Sequence, residues 1–450
     1  MAMKHRFVCQ VCGAVYPKWT GRCENCGSWN SLVEEAPISE KKAVVERSKG
    51  QKLSGTRLAD IKTASLESRL PTGMHEVDEV LGGGLMVGGV VLVAGQPGIG
   101  KSTLLLQIAA SVAEGESVLY VSGEESTGQV RLRATRLGAD KASKLELVSS
   151  TSADDIATTI GDGGYKLVIV DSMQTIGMAD VASAPGTISQ ITNSANIIIR
   201  AAKSSHTSVI LVGHVTKEGG IAGPKVLEHL VDVVLSFEGD RYGGFKMLRA
   251  AKNRYGSTAE VAILEMSEEG LVAVDNPSAS LLAERQKADG SVVLATIEGN
   301  RPLLVEIQAL VNPTHFGYPK RTASGFDLNR LTLLIAVLEK RTKLNLSDKD
   351  IFINVVGGLK LNDPAADLAV TMAIASAAAE RKLSEDFVVF GEVGLGGEIR
   401  TAHAADRRIQ EAKKLGFKGA LAPHTTSKKK NDFIYGVSDL RDALNRYLSK

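Results

Sequence analysis

The sequence predicts an α/β protein whose central domain is built on a mostly parallel sheet. Strands and helices alternate between residues 70 and 275, which is typical of a parallel sheet covered by helices on both faces. One strand in this region runs into a helix through a glycine-rich loop, at the edge where such sheets bind their ligands. A cysteine cluster before this region and a different order of elements after it predict a further domain on each side.

Length and composition set broad limits on function. A chain of 450 residues is long enough for two or three domains, and 44% hydrophobic and 23% charged residues are ordinary for a globular protein. The net charge of +2 neither requires nor excludes a nucleic-acid partner, so such a site would be a local patch. The sequence shows no secretion signal and no apolar run of membrane-spanning length, and we expect a cytoplasmic protein without a membrane contact.

The four cysteines of the chain lie within residues 1–33, in two pairs. The pairs are Cys9 with Cys12 and Cys23 with Cys26, and four thiolates at this spacing can surround one tetrahedral Zn²⁺ ion. The alternative, two disulfides, is disfavoured in the cytosol. Four cysteine ligands leave no coordination position of the metal open to a substrate, so we predict a structural zinc module. Several side chains decorate it, either as a partner surface or as a cover for the metal: Tyr16, Lys18, Trp19, Arg22 and Trp29.

Three further segments complete the predicted domain order. Residues 34–69 are polar and basic and lack apolar periodicity, which predicts a linker. Residues 70–275 form the central domain, and residues 276–450 form a separate α+β domain. In the latter we predict strands at Ser291–Ile297, Leu303–Leu310, Ile351–Val356 and Phe387–Gly391, and helices at Leu328–Lys340 and Pro364–Glu380.

The glycine-rich loop of the central domain has the pattern G-x-x-x-x-G-K-S of a phosphate-binding P-loop. It follows a predicted strand at Val90–Ala94 and precedes a predicted helix at Thr103–Ala113. Glycines let the backbone N–H groups approach phosphate oxygens, and the helix directs its positive end at them. The lysine supplies a charge for the β- and γ-phosphates, and the serine a hydroxyl for Mg²⁺. The predicted ATP-binding residues are Gly95, Gln96, Pro97, Gly98, Ile99, Gly100, Lys101, Ser102 and Thr103.

Acidic residues end two other predicted strands of this domain. Asp171 ends the apolar strand Lys166–Ser172 and is predicted to hold Mg²⁺ together with Ser102. Glu124 and Glu125 follow the strand Val118–Ser122, where a carboxylate can activate the attacking water. We predict that Glu124 is the catalytic base and keep Glu125 as the alternative.

His214 ends the strand Ser208–His214, where a polar group can sense the γ-phosphate. The loop after it contains three glycines between Lys217 and Lys225, which suits contact with a nucleic-acid strand. An ordinary glycine-rich turn remains the other interpretation. The remaining predicted elements of the domain are the strands Val233–Phe237 and Lys246–Ala251 and the helices Gln129–Leu137 and Ile188–Lys203.

Several motifs together resemble one known family. The run Leu81–Leu85, the P-loop, Ser122–Glu125 and Val170–Ser172 are similar to the RecA-type ATPase core. The segment Lys252-Asn-Arg-Tyr-Gly256 matches the K-N-R-(aromatic)-G signature of the bacterial RadA (Sms) family of recombination proteins. The zinc motif and a C-terminal domain similar to that of Lon protease complete the layout of that family over essentially the whole chain.

The resemblance implies a homohexameric ring with ATP bound between subunits. It implies translocation on single-stranded DNA, branch migration of recombination intermediates, and single-stranded and branched DNA as partners, with a RecA-type recombinase as a further partner. Lys252 and Arg254, at the family signature, would reach the site of a neighbouring subunit and stabilise charge on the γ-phosphate, as an arginine finger does.

The resemblance to Lon protease does not extend to its catalytic dyad. The position of the nucleophilic serine is Ala365 and that of the lysine falls near Ile399, so we expect no peptidase activity. We expect this domain to serve assembly and DNA contact, through basic residues that are alternatively ordinary solvated surface: Lys320, Arg321, Arg330, Arg407 and Arg408.

The sequence therefore predicts an ATP hydrolase that uses ATP, Mg²⁺ and Zn²⁺, and two functional classes remain open. The first is a DNA-dependent, helicase-like motor in recombinational repair. The second is an ATP-controlled switch that binds protein partners through the zinc module. Hydrolysis that is insensitive to DNA would indicate the switch.

Overall fold

The computed structural model describes most of the chain. The described residues are 6–9, 14–25, 27, 29, 31–35, 57, 68–214, 225–239, 244–286, 288–314, 317–383, 387–426 and 432–448. Cys12, Cys26, Lys217 and nearly all of the predicted linker lie outside these ranges. The chain divides into two compact units, one of residues 1–238, 247–258 and 266–272 and the other of residues 239–246, 259–265 and 273–450.

The N-terminal module is a small antiparallel sheet. Its strands are β1 (Arg6–Cys9), β2 (Val15–Tyr16) and β3 (Leu32–Glu35), in the order β2-β1-β3. Cys9 ends β1 and pairs with Leu32 of β3.

The central domain contains a large sheet and the helices that pack on it. Its strands are β4 (Arg69–Leu70), β5 (Leu85–Met86), β6 (Val90–Gly95), β7 (Val118–Ser122), β8 (Leu145–Ser149), β9 (Leu167–Asp171), β10 (Ser208–His214), β11 (Val233–Gly239), β12 (Lys246–Asn253), β13 (Val261–Ser267) and β14 (Gly270–Ala273). Its helices are α1 (His75–Leu81), α2 (Lys101–Val112), α3 (Thr127–Arg136), α4 (Ala153–Gly161), α5 (Ile188–Ser205) and α6 (Lys225–Leu230), with a short 3-10 helix at Ala139–Lys141.

The large sheet has nine strands within the described residues, in the order β14-β13-β12-β11-β6-β10-β9-β7-β8. The pairs β11/β6, β6/β10, β10/β9, β9/β7 and β7/β8 are parallel. Strands β6, β7 and β9 are buried along their whole length, because helices cover both faces of a parallel sheet. The predicted mostly parallel sheet is confirmed.

Helix boundaries follow local capping chemistry. Helix α3 begins at Thr127, two residues before the predicted start, because Ser126 and Gln129 form a reciprocal capping box. Helix α5 begins at Ile188 as predicted, where the Thr187 side chain accepts a hydrogen bond from the backbone of Gln190.

The second unit is an α+β fold around a seven-stranded sheet. Its sheet order within the described residues is β17-β18-β16-β15-β19-β22-β23. The strands are β15 (Ser291–Glu298), β16 (Arg301–Pro313), β17 (Arg321–Ser324), β18 (Lys349–Val355), β19 (Phe387–Val389), β20 (Glu392–Val393), β21 (Ile399–Arg400), β22 (Gly419–Pro423) and β23 (Ile434–Val437). The helices are α7 (Pro277–Leu282), α8 (Leu328–Thr342), α9 (Ala366–Ala379), α10 (Ala405–Lys414) and α11 (Leu440–Tyr447), with 3-10 turns at Val356–Gly358 and His424–Thr426.

Helix α9 forms the centre of this unit. Its residues from Ala366 to Ala377 are all buried, which the alanine-rich composition allows because small side chains let neighbours approach on every side. Within the described ranges, no helix combines the length and the hydropathy needed to cross a bilayer.

Candidate nucleotide site

The register of the parallel strands brings four predicted positions to one edge of the sheet. Gly95, at the end of β6, pairs with His214 at the end of β10. Asp171, at the end of β9, pairs with Ser122 at the end of β7. Since the strand order is β6-β10-β9-β7, the carboxyl ends of four adjacent strands meet there. Ligands of open α/β sheets bind at this edge.

The P-loop has the backbone geometry that its glycines require. Gly98 has φ +79° and Gly100 has φ +114°, a region that favours glycine. A Cβ at Gly95 would lie 2.5 Å from the Phe237 carbonyl oxygen, whereas a Cβ at Gly98 would meet no atom within 4 Å. The loop is therefore packed beneath and open at Gly98, where phosphate oxygens can approach. Helix α2 begins at Lys101, so Ser102 and Thr103 lie in its first turn.

Lys101 lies folded against its own loop. Its Nζ donates to the carbonyl oxygens of Gly95 at 2.9 Å and Gln96 at 3.0 Å, and it lies 3.0 Å from His214 Nδ1. Burial lowers the pKa of Lys101 to about 8, against the opposing charges of Asp171 and Glu124. Phosphate charge at this position would favour the protonated ammonium, as a nucleotide site requires.

Glu124 lies beside this lysine in a network of polar groups. Its Oε1 accepts a short hydrogen bond from the Ser172 hydroxyl and lies 3.3 Å from His214 Nε2. Burial raises the pKa of Glu124, but the hydrogen bonds of Ser172 and His214 and the charges of His214 and Lys101 outweigh burial, so the net pKa is lowered. The carboxylate is therefore ionised at neutral pH and can accept a proton.

Glu125 points to a different partner. Its Oε1 lies 2.5 Å from Arg133 Nη2 on α3, and its backbone N–H donates to Ser122 Oγ. A Cβ at Gly123 would lie 2.1 Å from Thr175 Oγ1, so a larger residue before the two acids would require Thr175 to move. The geometry favours Glu124 over Glu125 as the base.

Asp171 is buried and has a partner that the sequence reasoning missed. Tyr120, on the neighbouring strand β7, donates a hydrogen bond of 2.7 Å to Asp171 Oδ2. Burial, and then the charge of Asp171, raises the pKa of Tyr120 well above its usual value, so the phenol remains a donor. The only sequence signal for this contact is that Tyr120 carries a hydroxyl group within the otherwise apolar strand Val118–Ser122. The oxygen donors of Asp171 and Ser102 are those that Mg²⁺ prefers.

His214 connects the two charged groups of the site. Its Nδ1 lies at 3.0 Å from the lysine of the P-loop and its Nε2 at 3.3 Å from Glu124. One imidazole therefore contacts both the group that binds phosphate and the predicted base. A bound γ-phosphate would compete with His214 for Lys101, which supports the predicted sensor role.

The signature segment 252–256 lies at the opposite edge of the sheet. Lys252 Nζ donates to the carbonyl oxygens of Glu228 and Val231, and Arg254 Nη1 lies 3.5 Å from Asp232 Oδ1. Asp232 also accepts from the backbone of Val90, the first residue of β6. Five residues of strand, about 16 Å, separate that end of β6 from the P-loop. The structure therefore does not bring Lys252 and Arg254 to the phosphate site of their own chain.

Asp232 organises this edge, and the sequence reasoning missed it. It is buried and pairs with Lys203 Nζ at 3.3 Å as well as with Arg254. Asn253 Nδ2 donates to the carbonyl oxygens of Val80 and Leu81 at the end of α1. Residues 252–256 are therefore held in place by contacts within their own domain, while the Arg254 side chain remains exposed to solvent.

The cysteines of the N-terminal module that the structure describes are both buried, Cys9 at 1% and Cys23 at 0% exposure. Cys9 Sγ lies 3.3 Å from Ser31 Oγ, and Cys23 Sγ lies 3.3 Å from Tyr16 Oη. Hydroxyl groups beside buried sulfurs suit thiolates that carry negative charge toward a metal. The two described members of the predicted set therefore fit zinc, while Cys12 and Cys26 lie outside the described residues.

The basic residues predicted to contact DNA have different surroundings. Lys320 and Arg407 are exposed, and Arg407 also donates to Asn300. Arg321 donates to the carbonyl oxygens of Lys349 and Leu346. Lys225 is the first residue of α6, and its side chain is outside the part of the chain that the structure describes.

Arg330 and Arg408 both form ion pairs with aspartates of the second unit, and Arg330 remains half-buried. Arg330 makes a bidentate contact with Asp367, and burial raises the pKa of that aspartate despite the arginine. Arg408 is only 1% exposed, and its Nη1 donates at 2.6 Å to Asp363 and to the carbonyl of Ala295. The prediction that Arg408 contacts DNA is wrong, because its guanidinium is enclosed in the fold.

The position of the absent peptidase nucleophile is filled by structural contacts. Ala365 is buried, and its carbonyl accepts a hydrogen bond from Gly391. Its backbone N–H donates to Asp363, the partner of Arg408. Ile399 is likewise a buried apolar residue.

The fold and this site define the class of the protein. A parallel sheet with a P-loop, an acid at the end of β9 and an acid after β7 is a RecA-type P-loop ATPase core. Family models agree along the chain, with an AAA domain over residues 56–220, a rubredoxin metal binding domain over residues 7–34 and subunit ChlI of Mg-chelatase over residues 332–426. The protein thus combines a RecA-like core with an N-terminal zinc ribbon and a C-terminal Lon-like domain.

Relatives with curated names specify the family. The chain is 46% identical to the DNA repair protein RadA of Bacillus subtilis over 455 residues, covering 99% of each chain, and 45% identical to that of Aquifex aeolicus over 442 residues, covering 98% of each. A solved RadB recombinase structure covers 46% of this chain and 100% of its own at 23% identity, with a TM-score of 0.37. The chain belongs to the RadA family of DNA repair proteins.

Proposed function

We propose that this chain is a DNA-dependent ATPase in DNA repair, which translocates on single-stranded DNA and promotes branch migration of recombination intermediates. The observation that carries the proposal is the network of Glu124, Ser172 and His214 beside the P-loop lysine. An ionised carboxylate at this position can orient water and accept its proton. The names of the RadA relatives support the role in repair.

The residues present fit ATP with Mg²⁺. The open backbone around Gly98 and the ammonium of Lys101 would hold the phosphates, and Ser102 and Asp171 would hold the metal. Mg²⁺, when bound, neutralises charge on the β- and γ-phosphates. Tyr120 fixes one carboxylate oxygen of Asp171 and so limits its rotation. Zn²⁺ would be held by the four cysteines of the ribbon as a structural ion.

The position of the signature segment supports a ring. Lys252 and Arg254 lie beside Asp232 at the start of β6, and the P-loop follows the other end of this strand, about 16 Å away, so these side chains are placed to act on a phosphate in a neighbouring subunit. We therefore propose a homohexamer in which each site is completed by the next chain. We further propose a cytoplasmic location, contact with single-stranded and branched DNA through Lys217, Lys225, Lys320, Arg321, Arg330 and Arg407, and a RecA-type recombinase as a partner.

The test is ATP hydrolysis by the purified full chain with and without single-stranded DNA. We expect strong stimulation by DNA in the wild type and its loss in Arg254→Ala, while Arg131→Ala, which removes an exposed arginine of α3, keeps it. Thermal unfolding of each variant controls for the fold. Hydrolysis that is indifferent to DNA would overturn the motor and favour an ATP-controlled switch.

A further inference from the structure

Both tryptophans of the chain lie on the surface of the zinc ribbon. Trp19 is 55% exposed and Trp29 is 73% exposed, and the sequence contains no third tryptophan. Indoles bring large contact areas at low entropic cost and are usually at least partly covered in a folded domain. Two exposed indoles in so small a module therefore indicate a contact surface.

The two rings flank the same point of the backbone. A Cβ at Gly21 would lie 3.8 Å from Trp19 Cη2 and 3.9 Å from Trp29 Cζ3. Both distances are ordinary van der Waals contacts, so the two rings border the same backbone position at Gly21. The two indoles can therefore contact one ligand together.

Two cations accompany the indoles, Arg22 by contact with Trp29 and Lys18 by its position next to Trp19 in the sequence. Arg22 pairs with Trp29 across an antiparallel bridge, and its guanidinium carbon lies 5.8 Å from the centre of the indole. A hydrogen bond of 2.9 Å from Arg22 Nε to the Gly27 carbonyl holds it there. Lys18 precedes Trp19 and is exposed. The stacked guanidinium extends the aromatic surface and adds positive charge to it.

We propose that Trp19 and Trp29 form a stacking site for the bases of single-stranded nucleic acid, with Lys18 and Arg22 against its phosphates. Aromatic rings beside cations bind single strands with little sequence preference, since every base offers a π face. An apolar peptide would cover the indoles without using the two cations, whereas a nucleic-acid strand uses both. This site goes beyond the proposed ATPase, because it lies in the zinc ribbon and needs no nucleotide.

The tryptophans themselves report on the proposal, because both tryptophans of the chain lie in this module and the tryptophan emission therefore arises only from it. The measurement is tryptophan fluorescence of the nucleotide-free full chain, titrated with oligothymidylate or with an abasic deoxyribose-phosphate oligomer of equal length. We expect saturable quenching by oligothymidylate and little by the abasic oligomer. Trp19→Ala should weaken the affinity reported by Trp29 at least about fivefold, and Trp19→Phe, which can still stack, should weaken it less.

Two controls separate the outcomes. Zinc content of each variant shows that the ribbon remains assembled, and anisotropy of a labelled oligothymidylate shows when the chain is saturated. Unchanged tryptophan emission at saturation would overturn the stacking site and favour a protein partner for this surface. Equal quenching by the abasic oligomer would also overturn base stacking, because it would show that phosphate contact alone is responsible. Neither result touches the proposed ATPase, which fails only if hydrolysis ignores DNA.

Discussion

The two adjacent acids after β7 give the sharpest test of the site. Glu124→Gln keeps the volume of the side chain and an oxygen that accepts the Ser172 hydrogen bond, but it removes the basicity. A general base contributes about 100- to 10,000-fold to a rate, so we expect turnover to fall by that factor. Glu125→Gln changes only a carboxylate that pairs with Arg133, so we expect less than about a threefold loss.

The assay is ADP release at saturating ATP and Mg²⁺, with nucleotide affinity measured separately by a fluorescent ADP analogue. Nucleotide affinity should stay close to that of the wild type in both variants, because neither side chain belongs to the P-loop. A loss of turnover in Glu125→Gln as large as that in Glu124→Gln would refute the assignment, and so would normal turnover in Glu124→Gln.

Three further predictions follow from the contacts of single side chains. Arg408→Met removes the ion-pair partner of Asp363, so the free energy of unfolding in urea should fall by about 3–5 kcal/mol. A loss below about 1 kcal/mol would contradict a stabilising role of this buried ion pair. Arg133→Ala leaves the charge of Glu125 unbalanced close to Tyr120, the partner of Asp171, and should lower turnover, and adding Glu125→Gln should restore it. Failure of the double variant to recover would show that Arg133 acts in another way. Burial lowers the pKa of Lys101 to about 8, below its unfolded value, so the ammonium loses its proton as pH rises through 8. ATP phosphates favour the charged form of Lys101, so nucleotide affinity should fall above about pH 8 and nucleotide binding should take up protons there. Calorimetry in buffers of different ionisation heat measures this proton uptake. Binding without proton uptake would contradict the prediction.

The positions of the site were predictable wherever chemistry follows from chain spacing. The P-loop, Asp171 and His214 each end a buried strand, and parallel register alone brings strand ends together. The same reasoning placed the acids after β7 but could not separate them, because the choice depends on Arg133 of α3.

Contacts between residues far apart in the sequence could not be predicted. Tyr120 reaches Asp171 across 51 positions, and Asp232 holds the start of β6 across 142. Arg408 is predicted as a DNA contact because it is basic and lies near a helix end, yet its partner Asp363 lies 45 positions away in the sequence and binds its guanidinium inside the fold. Helix α4 is absent from the predicted elements, although its buried residues Ala153, Ile156 and Ile160 recur at helical spacing.

The central claim is that each nucleotide site is completed by the neighbouring chain, and a mixing experiment tests it most directly. Lys101→Ala removes the P-loop charge, and Arg254→Ala removes an exposed arginine at the opposite edge, so each variant alone should lack DNA-stimulated hydrolysis. Mixed in equal amounts before assembly, the two variants should recover about a quarter of wild-type activity. In a ring of randomly mixed subunits, about one interface in four joins an intact Lys101 of one subunit to an intact Arg254 of the next. A mixture as inactive as its components would contradict the account.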